Sequence, residues 1–135
     1  MAAGRYNFTI EQGATVDFEI AYKDSNENPI DLTDYQARMQ LRPTRESDII
    51  YITLSSSMEA DGTGLNLSGS NNLNPPTSGT IGIYISANSS SMLDFSRAYY
   101  DLEIVTGSTY PVVTRLIEGV VNLSDNVTLG PYNGE

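Results

Sequence analysis

The sequence predicts an all-β fold, an immunoglobulin-like antiparallel β-sandwich of about seven or eight strands, from two observations. Apolar and polar side chains alternate along most of the chain, with the period of two that is typical of half-buried strands. Turn-forming residues separate these segments, and no strong helical period appears. Because 135 residues suit one ordinary core, we expect residues 1–135 to form a single domain.

Four strands are predicted in the first half of the chain. They cover residues 6–10, 16–22, 35–42 and 49–54. The segment 23–34 is rich in Asp, Asn and Pro, which favour turns, so it is predicted to be a connecting loop. Pro43 ends the third strand because it has no amide hydrogen for a ladder.

The second half begins with a long loop at about 55–79, rich in Ser, Asn, Gly and Pro, with one short predicted strand around residues 65–67. A strand follows at 80–86. The alternation then breaks, and Ser and Asn as capping residues predict one short helical turn near residues 87–95. Two further strands, at 98–105 and 112–123, precede a short C-terminal tail.

The last predicted strand leaves two possibilities open. Val112, Thr114 and Leu116 fall on one face of this strand. Val121 joins them on that face only if a β-bulge near Glu118 and Gly119 shifts the alternation by one residue. Without a bulge, Val120 faces the core instead.

Two adjacent tyrosines in the strand at 98–105 have different predicted roles. Alternation places Tyr100 on the core face and Tyr99 on the outer face, together with Asp101 and Glu103. Because Tyr100 follows a turn, we predict a tyrosine corner, in which the ring is buried and the hydroxyl bonds to a nearby backbone group.

Composition argues against several classes of function. The net charge of −10 would repel nucleic acid and anionic membranes alike, and no segment approaches the length of a membrane span. Without cysteine or histidine, thiol nucleophiles and His-based acid–base or metal sites are excluded. We therefore expect a non-enzymatic protein without cofactors, made in the cytoplasm.

Two acidic patterns are candidate sites. Asp24, Asn26 and Asn28 have the spacing that begins an EF-hand loop, but Pro29 and Tyr35 stand where such a loop needs Gly and Glu, which favours an Asx-rich turn. Neighbouring carboxylates such as Asp101 and Glu103 can serve glycoside hydrolysis, but an exposed sheet face is the favoured interpretation. Some of five arginines are expected to form ion pairs within the sheet or at a subunit interface, without a choice among them: Arg38, Arg42, Arg45, Arg97 and Arg115.

Short motifs spread over nearly the whole chain carry a resemblance. The motif residues are Gly13, Thr15, Phe18, Pro29, Asp31, Leu32, Thr33, Tyr35, Ala37, Gln40, Arg42, Tyr100, Asp101, Leu102, Arg115, Gly119, Val121, Val127 and Thr128. On these residues the chain resembles a small β-sandwich module of tailed-bacteriophage virion proteins. It departs from that pattern at Ala98, where the module has an aromatic residue, and in the Ser/Asn-rich insertion at 63–78.

The resemblance implies a structural protein of a virion, assembled in the host cytoplasm. In this family the module often anchors longer fibre proteins, and this chain ends soon after the module, so we expect an adaptor or connector in the tail, neck or baseplate. Its expected partners are copies of itself in a symmetric ring or array and other phage structural proteins. Structural roles are assigned to Phe18, Tyr35, Tyr100, Arg115 and Gly119, and possible interface roles to Arg38, Arg42, Tyr84 and Tyr99.

Two alternatives stay open at this point. One is a capsid decoration protein. The other is a carbohydrate-binding module in which the outward tyrosines Tyr84, Tyr99 and Tyr110 stack on sugar rings.

Overall fold

The computed structural model describes residues 4–69, 75–107 and 109–125, and the structural statements below concern these residues. They contain nine β-strands, one 3-10 helix at Pro76–Ser78 and one short α-helix, α1, at Ala87–Ser91. The strands are β1 (Gly4–Arg5), β2 (Phe8–Glu11), β3 (Val16–Ala21), β4 (Tyr35–Arg42), β5 (Ile52–Ser55), β6 (Gly64–Asn66), β7 (Thr80–Ile85), β8 (Arg97–Thr106) and β9 (Val113–Ser124).

The strands form two sheets that contribute to one core. The large sheet has the order β1–β9–β8–β4–β5, with β2 also paired to β9, and the small sheet has the order β3–β7–β6. One buried cluster includes Leu41 and Leu102 from the large sheet and Ile83 from the small sheet. The predicted all-β class is therefore confirmed, and the immunoglobulin-like type stays a prediction.

One edge of the large sheet corrects the expectation of a purely antiparallel fold. Both β1 and β2 run parallel to β9, with Gly4 opposite Ile117 and Phe8 opposite Val121. The other described strand pairs are antiparallel. Alternation reports which face a side chain occupies but not the direction of its strand, so the sequence pattern did not distinguish the two pairings.

The long loop and the strand before it also differ in detail from the prediction. β5 begins at Ile52, because Ile49 and Ile50 lie in the β4–β5 loop, where they are 61% and 44% exposed. Within the predicted loop at 55–79, β6 confirms the short strand predicted around residues 65–67, whereas the 3-10 helix was not predicted. Its residues 70–74 lie outside the described residues, as do the tail and the motif residues Val127 and Thr128.

The helical turn predicted near residues 87–95 is α1 and the bend that follows it. The Ser86 side chain caps the helix by accepting a hydrogen bond from the Ser89 amide. After the helix, Leu93 and Phe95 are buried, and the Phe95 ring stacks on Tyr51 with 4.5 Å between centroids. The bend therefore closes one part of the core.

A register shift in the β8–β9 pair locates the bulge. Leu102 lies opposite Ile117, but Glu103 lies opposite Arg115, so Leu116 is the extra residue of β9. The bulge that the sequence suggested is present, but not at Glu118 and Gly119. Val121 is fully buried, so the alternative without a bulge is wrong.

Gly119 has a different function, which is to let the N-terminal segment approach β9. A Cβ atom at Gly119 would lie 2.1 Å from the Tyr6 carbonyl oxygen, in the segment that links β1 and β2. On the same segment, the Asn7 side-chain oxygen accepts a hydrogen bond from the Val120 amide at 2.8 Å. The segment therefore sits directly on the backbone of β9.

Tyr100 fixes this contact from the neighbouring strand. It lies opposite Gly119, its ring is buried, and its hydroxyl donates a 2.6 Å hydrogen bond to the Tyr6 carbonyl. The ring is buried and the hydroxyl bonds to backbone, as the predicted tyrosine corner requires. The acceptor, however, is far from Tyr100 in the sequence and not a nearby backbone group. Tyr6, Gly119 and Tyr100 together are called the N-terminal joint below.

Gly119→Ala should destabilise the protein strongly. The new methyl group would collide with backbone, which is less able to move than a side chain, so we expect a loss of about 3 kcal/mol in the free energy of unfolding. Urea denaturation measures this loss. The matched control is Gly4→Ala, where a Cβ meets nothing closer than 3.7 Å, and an equal loss in both variants would contradict the joint.

Tyr100→Phe should change how stability depends on pH. Burial of the ring, with a smaller contribution from Tyr6, raises the pKa of Tyr100 above the ordinary tyrosine value. The neutral hydroxyl therefore stabilises the fold fully below about pH 10, and this contribution is lost as the pH rises towards the folded-state pKa.

Urea denaturation at about pH 8 and at higher pH measures the effect. At about pH 8 the variant should lose about 1 kcal/mol with the hydrogen bond, and above about pH 10 the wild type should approach it in stability. A constant difference between the two proteins across this range would count against a buried, neutral Tyr100.

Candidate functional site: the outer face of the large sheet

The outer face of the large sheet carries the most distinctive surface of the described chain. A groove of about 330 Å³ runs across β4, β8 and β9 on this side. Its lining is dominated by charged side chains: Arg38, Arg42, Arg45, Asp101, Glu103, Arg115 and Glu118. They reach one face because residues two apart on a strand point to the same side of a sheet.

Cationic side chains are concentrated here in an otherwise acidic protein. All seven cations of the chain fall within the described residues, and strand alternation and contacts assign six of them to this face. These are Arg5, Arg38, Arg42, Arg45, Arg97 and Arg115. Four of the seventeen acidic side chains share the face: Glu11, Asp101, Glu103 and Glu118. Among the residues that the strands and their ion pairs place on this face, cations therefore outnumber carboxylates, although the chain has a net charge of −10.

Ion pairs cross the face between strands. Arg38 bonds to Glu103, Arg45 lies 3.0 Å from Glu118, and Arg115 lies 3.2 Å from Asp101. The expectation that some of the five arginines form ion pairs within the fold is therefore confirmed for Arg38, Arg45 and Arg115. Because the guanidinium groups are more than half exposed, each pair contributes only about 0–1 kcal/mol to stability.

The same pairs decide how the two neighbouring carboxylates are used. Asp101 pairs with Arg115, and Glu103 pairs with Arg38, so each carboxylate has its own cationic partner. This matches the predicted exposed sheet face. A carboxyl that acts as a general acid in glycoside hydrolysis must deliver a proton to the substrate, and both carboxylates here are engaged in ion pairs instead.

Arg42 holds the β4–β5 loop. Its Nη2 donates to the Gln40 side-chain oxygen at 2.7 Å, and its Nη1 donates to the Ser47 carbonyl at 3.2 Å. Gln40 and Arg42 meet because they are two residues apart on the outer side of β4. Gln40 and Arg42 are both motif residues, and their contact helps to hold the β4–β5 loop in place.

Tyr99 lies among arginines at one end of the groove. The Arg97 guanidinium carbon lies 5.4 Å from the ring centroid and that of Arg45 lies 5.9 Å from it, and Arg42 is opposite Tyr99 on β4. Among the described residues, Arg42 and Arg97 have no carboxylate within ion-pair distance. Arg42, Arg45, Arg97 and Tyr99 are called the arginine end below.

The structure does not bring the tyrosines of the carbohydrate-binding alternative together. Tyr84 lies on β7 of the small sheet, and its ring packs against Gly62. A Cβ atom added at Gly62 would lie 3.3 Å from that ring. Tyr99 lies on the outer face of the large sheet, on the other side of the shared core. Tyr110 lies in the β8–β9 loop, beyond the opposite end of β8. The three rings form no single platform.

The remaining predicted structural residues lie at the core. Phe18 on β3 joins a ring cluster with Tyr6, Phe8 and Tyr100, in which neighbouring centroids are 5.1–6.0 Å apart. Tyr35 begins β4 and donates its backbone amide to the Leu32 carbonyl at 3.1 Å. The ring cluster was not predicted as a unit, because its members are spread over three separate segments of the chain.

A polar network around α1 was also missed. The Asp61 carboxylate accepts hydrogen bonds from the Ser86 hydroxyl at 2.6 Å and the Thr63 amide at 3.0 Å, and Ser89 adds a third donor. These bonds, led by that of Ser86, lower the pKa of Asp61 to about 2. The Ser-rich segment at 86–91 signalled the helix cap but not its remote acidic partner.

The acidic loop between β3 and β4 is organised by its own backbone. One Asp24 carboxylate oxygen accepts hydrogen bonds from the Asn26 amide at 2.8 Å and the Asn28 amide at 3.0 Å. The Asx-rich turn predicted there is confirmed. Within the described ranges, no group of His, Cys, Asp or Glu side chains is arranged to hold a metal ion.

Comparisons with known proteins add no relative. No protein-family model matches the chain, and no curated protein is significantly similar to it. In the described part of the chain, no helix is long and apolar enough to cross a membrane.

Proposed function

We propose that this protein is a non-enzymatic structural protein of a tailed-phage virion. It acts as an adaptor or connector in the tail, neck or baseplate, where it assembles with copies of itself and docks to other virion proteins. Nucleic acid, membranes and cofactors have no part in this function. Two things support this function: the resemblance carried by the motif residues, and the contacts that those residues make in the fold.

The observation that carries the proposal is that the described motif residues with clear contacts hold backbone segments together. Tyr100 and Gly119 belong to the N-terminal joint. Asp31 accepts hydrogen bonds from the Thr33 amide and hydroxyl at 2.9 and 2.6 Å, and Arg42 anchors the β4–β5 loop. A motif built from such contacts specifies a scaffold, and the motif residues that line the groove, Arg42, Asp101 and Arg115, are engaged there in hydrogen bonds and ion pairs.

The outer face of the large sheet suits assembly by polar docking. Arginine and tyrosine are enriched in protein interfaces, and this face presents both. The exposed Ile49 and Ile50 lie in the loop that Arg42 anchors, so apolar side chains are available close to the arginine end. A neighbouring virion protein can therefore find apolar anchors and directional hydrogen-bond donors together.

Immunogold electron microscopy tests the proposal. Particles are purified from a lysate of the host that carries the encoding phage and labelled with antibody to this chain. Particles from a deletion of the coding sequence are the control. Label at one end of the particle is expected, since the proposed site is the tail, neck or baseplate.

Two outcomes would change this conclusion. Label over the whole shell would support a capsid decoration protein instead. Particles without label, from a lysate that contains the chain, would refute the virion function.

A further inference from the structure

Acidic and cationic side chains are concentrated at opposite ends of β4. The loop at 23–34, which leads into β4, carries four acidic residues and one cation, Lys23. The acidic residues are Asp24, Glu27, Asp31 and Asp34. At the other end of β4 lies the arginine end. Since an eight-residue strand is about 25 Å long, the two charged surfaces lie at opposite ends of the molecule.

The acidic loop is held in shape before any partner arrives. The Asx turn at Asp24 fixes its first part, and the Thr33 hydroxyl and amide bind the Asp31 carboxylate. These bonds also lower the pKa of Asp31. Glu27, exposed between these two points, has the left-handed φ of 65° that a tight turn requires. A preformed loop loses little conformational entropy on binding.

The arginine end has the donors to receive such a loop. Arg97 is exposed and has no carboxylate partner among the described residues, and its guanidinium contacts the Tyr99 ring. Guanidinium groups bind carboxylates with two parallel hydrogen bonds, and a tyrosine ring adds contact area at low entropic cost. Glu46 and Asp48 stand exposed in the β4–β5 loop, so an incoming acidic loop must dock on the Arg97 and Tyr99 side.

We propose that the arginine end binds the acidic loop at 23–34 of a second copy of this chain, head to tail. This inference rests on the proposed self-assembly and names its two surfaces. Contact between different surfaces of identical chains is heterologous, so it generates a ring where the rotation closes and a filament where it does not. Since each copy offers both surfaces, one kind of contact is sufficient for the whole assembly.

Sedimentation velocity on the purified chain tests the contact. Self-association of the wild type is expected at low ionic strength and should weaken as salt is added, because salt screens exposed charges. Arg97→Glu and Glu27→Lys should each weaken it by about tenfold or more, since each brings like charges together. Arg97→Ala should give a smaller loss. Circular dichroism establishes that each variant is folded.

A mixture of the two charge reversals gives the sharpest result. The Glu27→Lys chain keeps a native arginine end, and the Arg97→Glu chain keeps a native loop. In an equal mixture one contact is native, and at the other contact the two reversed charges are again opposite in sign, so association should be stronger than in either variant alone. The matched control is Arg5→Glu on β1, which changes the net charge as much as Arg97→Glu but lies outside both proposed surfaces, and it should not weaken association.

Three outcomes would overturn the inference. They are a wild type that stays monomeric at low ionic strength, a mixture of the two reversals that stays monomeric, and a loss with Arg5→Glu equal to that with Arg97→Glu. None of them depends on immunogold labelling. A chain that labels a particle but fails here is a virion protein with another interface, and one that passes here without labelling any particle assembles outside a virion.

Discussion

The close approach of the Tyr6 carbonyl to the backbone at Gly119 is the contact on which the rest of the fold depends. It requires a position without a Cβ atom, and the Tyr100 hydroxyl satisfies the carbonyl that arrives there. The contact holds β1 and β2 beside β9, and Phe8 thereby reaches Phe18 on the small sheet with 5.1 Å between ring centroids. One hydrogen bond and one missing methyl group thus link the chain start, the large sheet and the core.

A second local irregularity shapes the outer surface. Arg115 and Glu118 are three residues apart, so strict alternation would place them on opposite faces of the sheet. The bulge at Leu116 shifts the alternation and brings both outward, where Arg115 lies between Asp101 and Glu118. The ion pairs of Arg115 with Asp101 and Glu118 therefore depend on one extra residue in β9. The proposed docking face depends on the backbone as much as on the arginines.

Sequence patterns predicted the faces of side chains better than their partners. Alternation assigned Tyr100 to the core and Tyr99 to the outside, and turn chemistry predicted the Asx turn at Asp24, because these signals are local. The parallel pairing of β1 and β2, the Tyr6 carbonyl as acceptor and the link between Asp61 and Ser86 are contacts between remote segments. The sequence singled out Gly119 as a position for a bulge. The reason that a glycine is needed there is the Tyr6 carbonyl, which lies more than a hundred residues earlier in the chain.

Two groups of residues emerge, one that holds the fold and one that presents a surface for assembly. The most direct test of this division is the amount of variant chain recovered in purified particles. Tyr100→Phe should be incorporated at the wild-type level at a temperature where it is folded, although its free energy of unfolding is lower. Arg97→Glu should be folded but reduced in particles. Incorporation of Arg97→Glu at the wild-type level would contradict the assignment of the outer face to assembly.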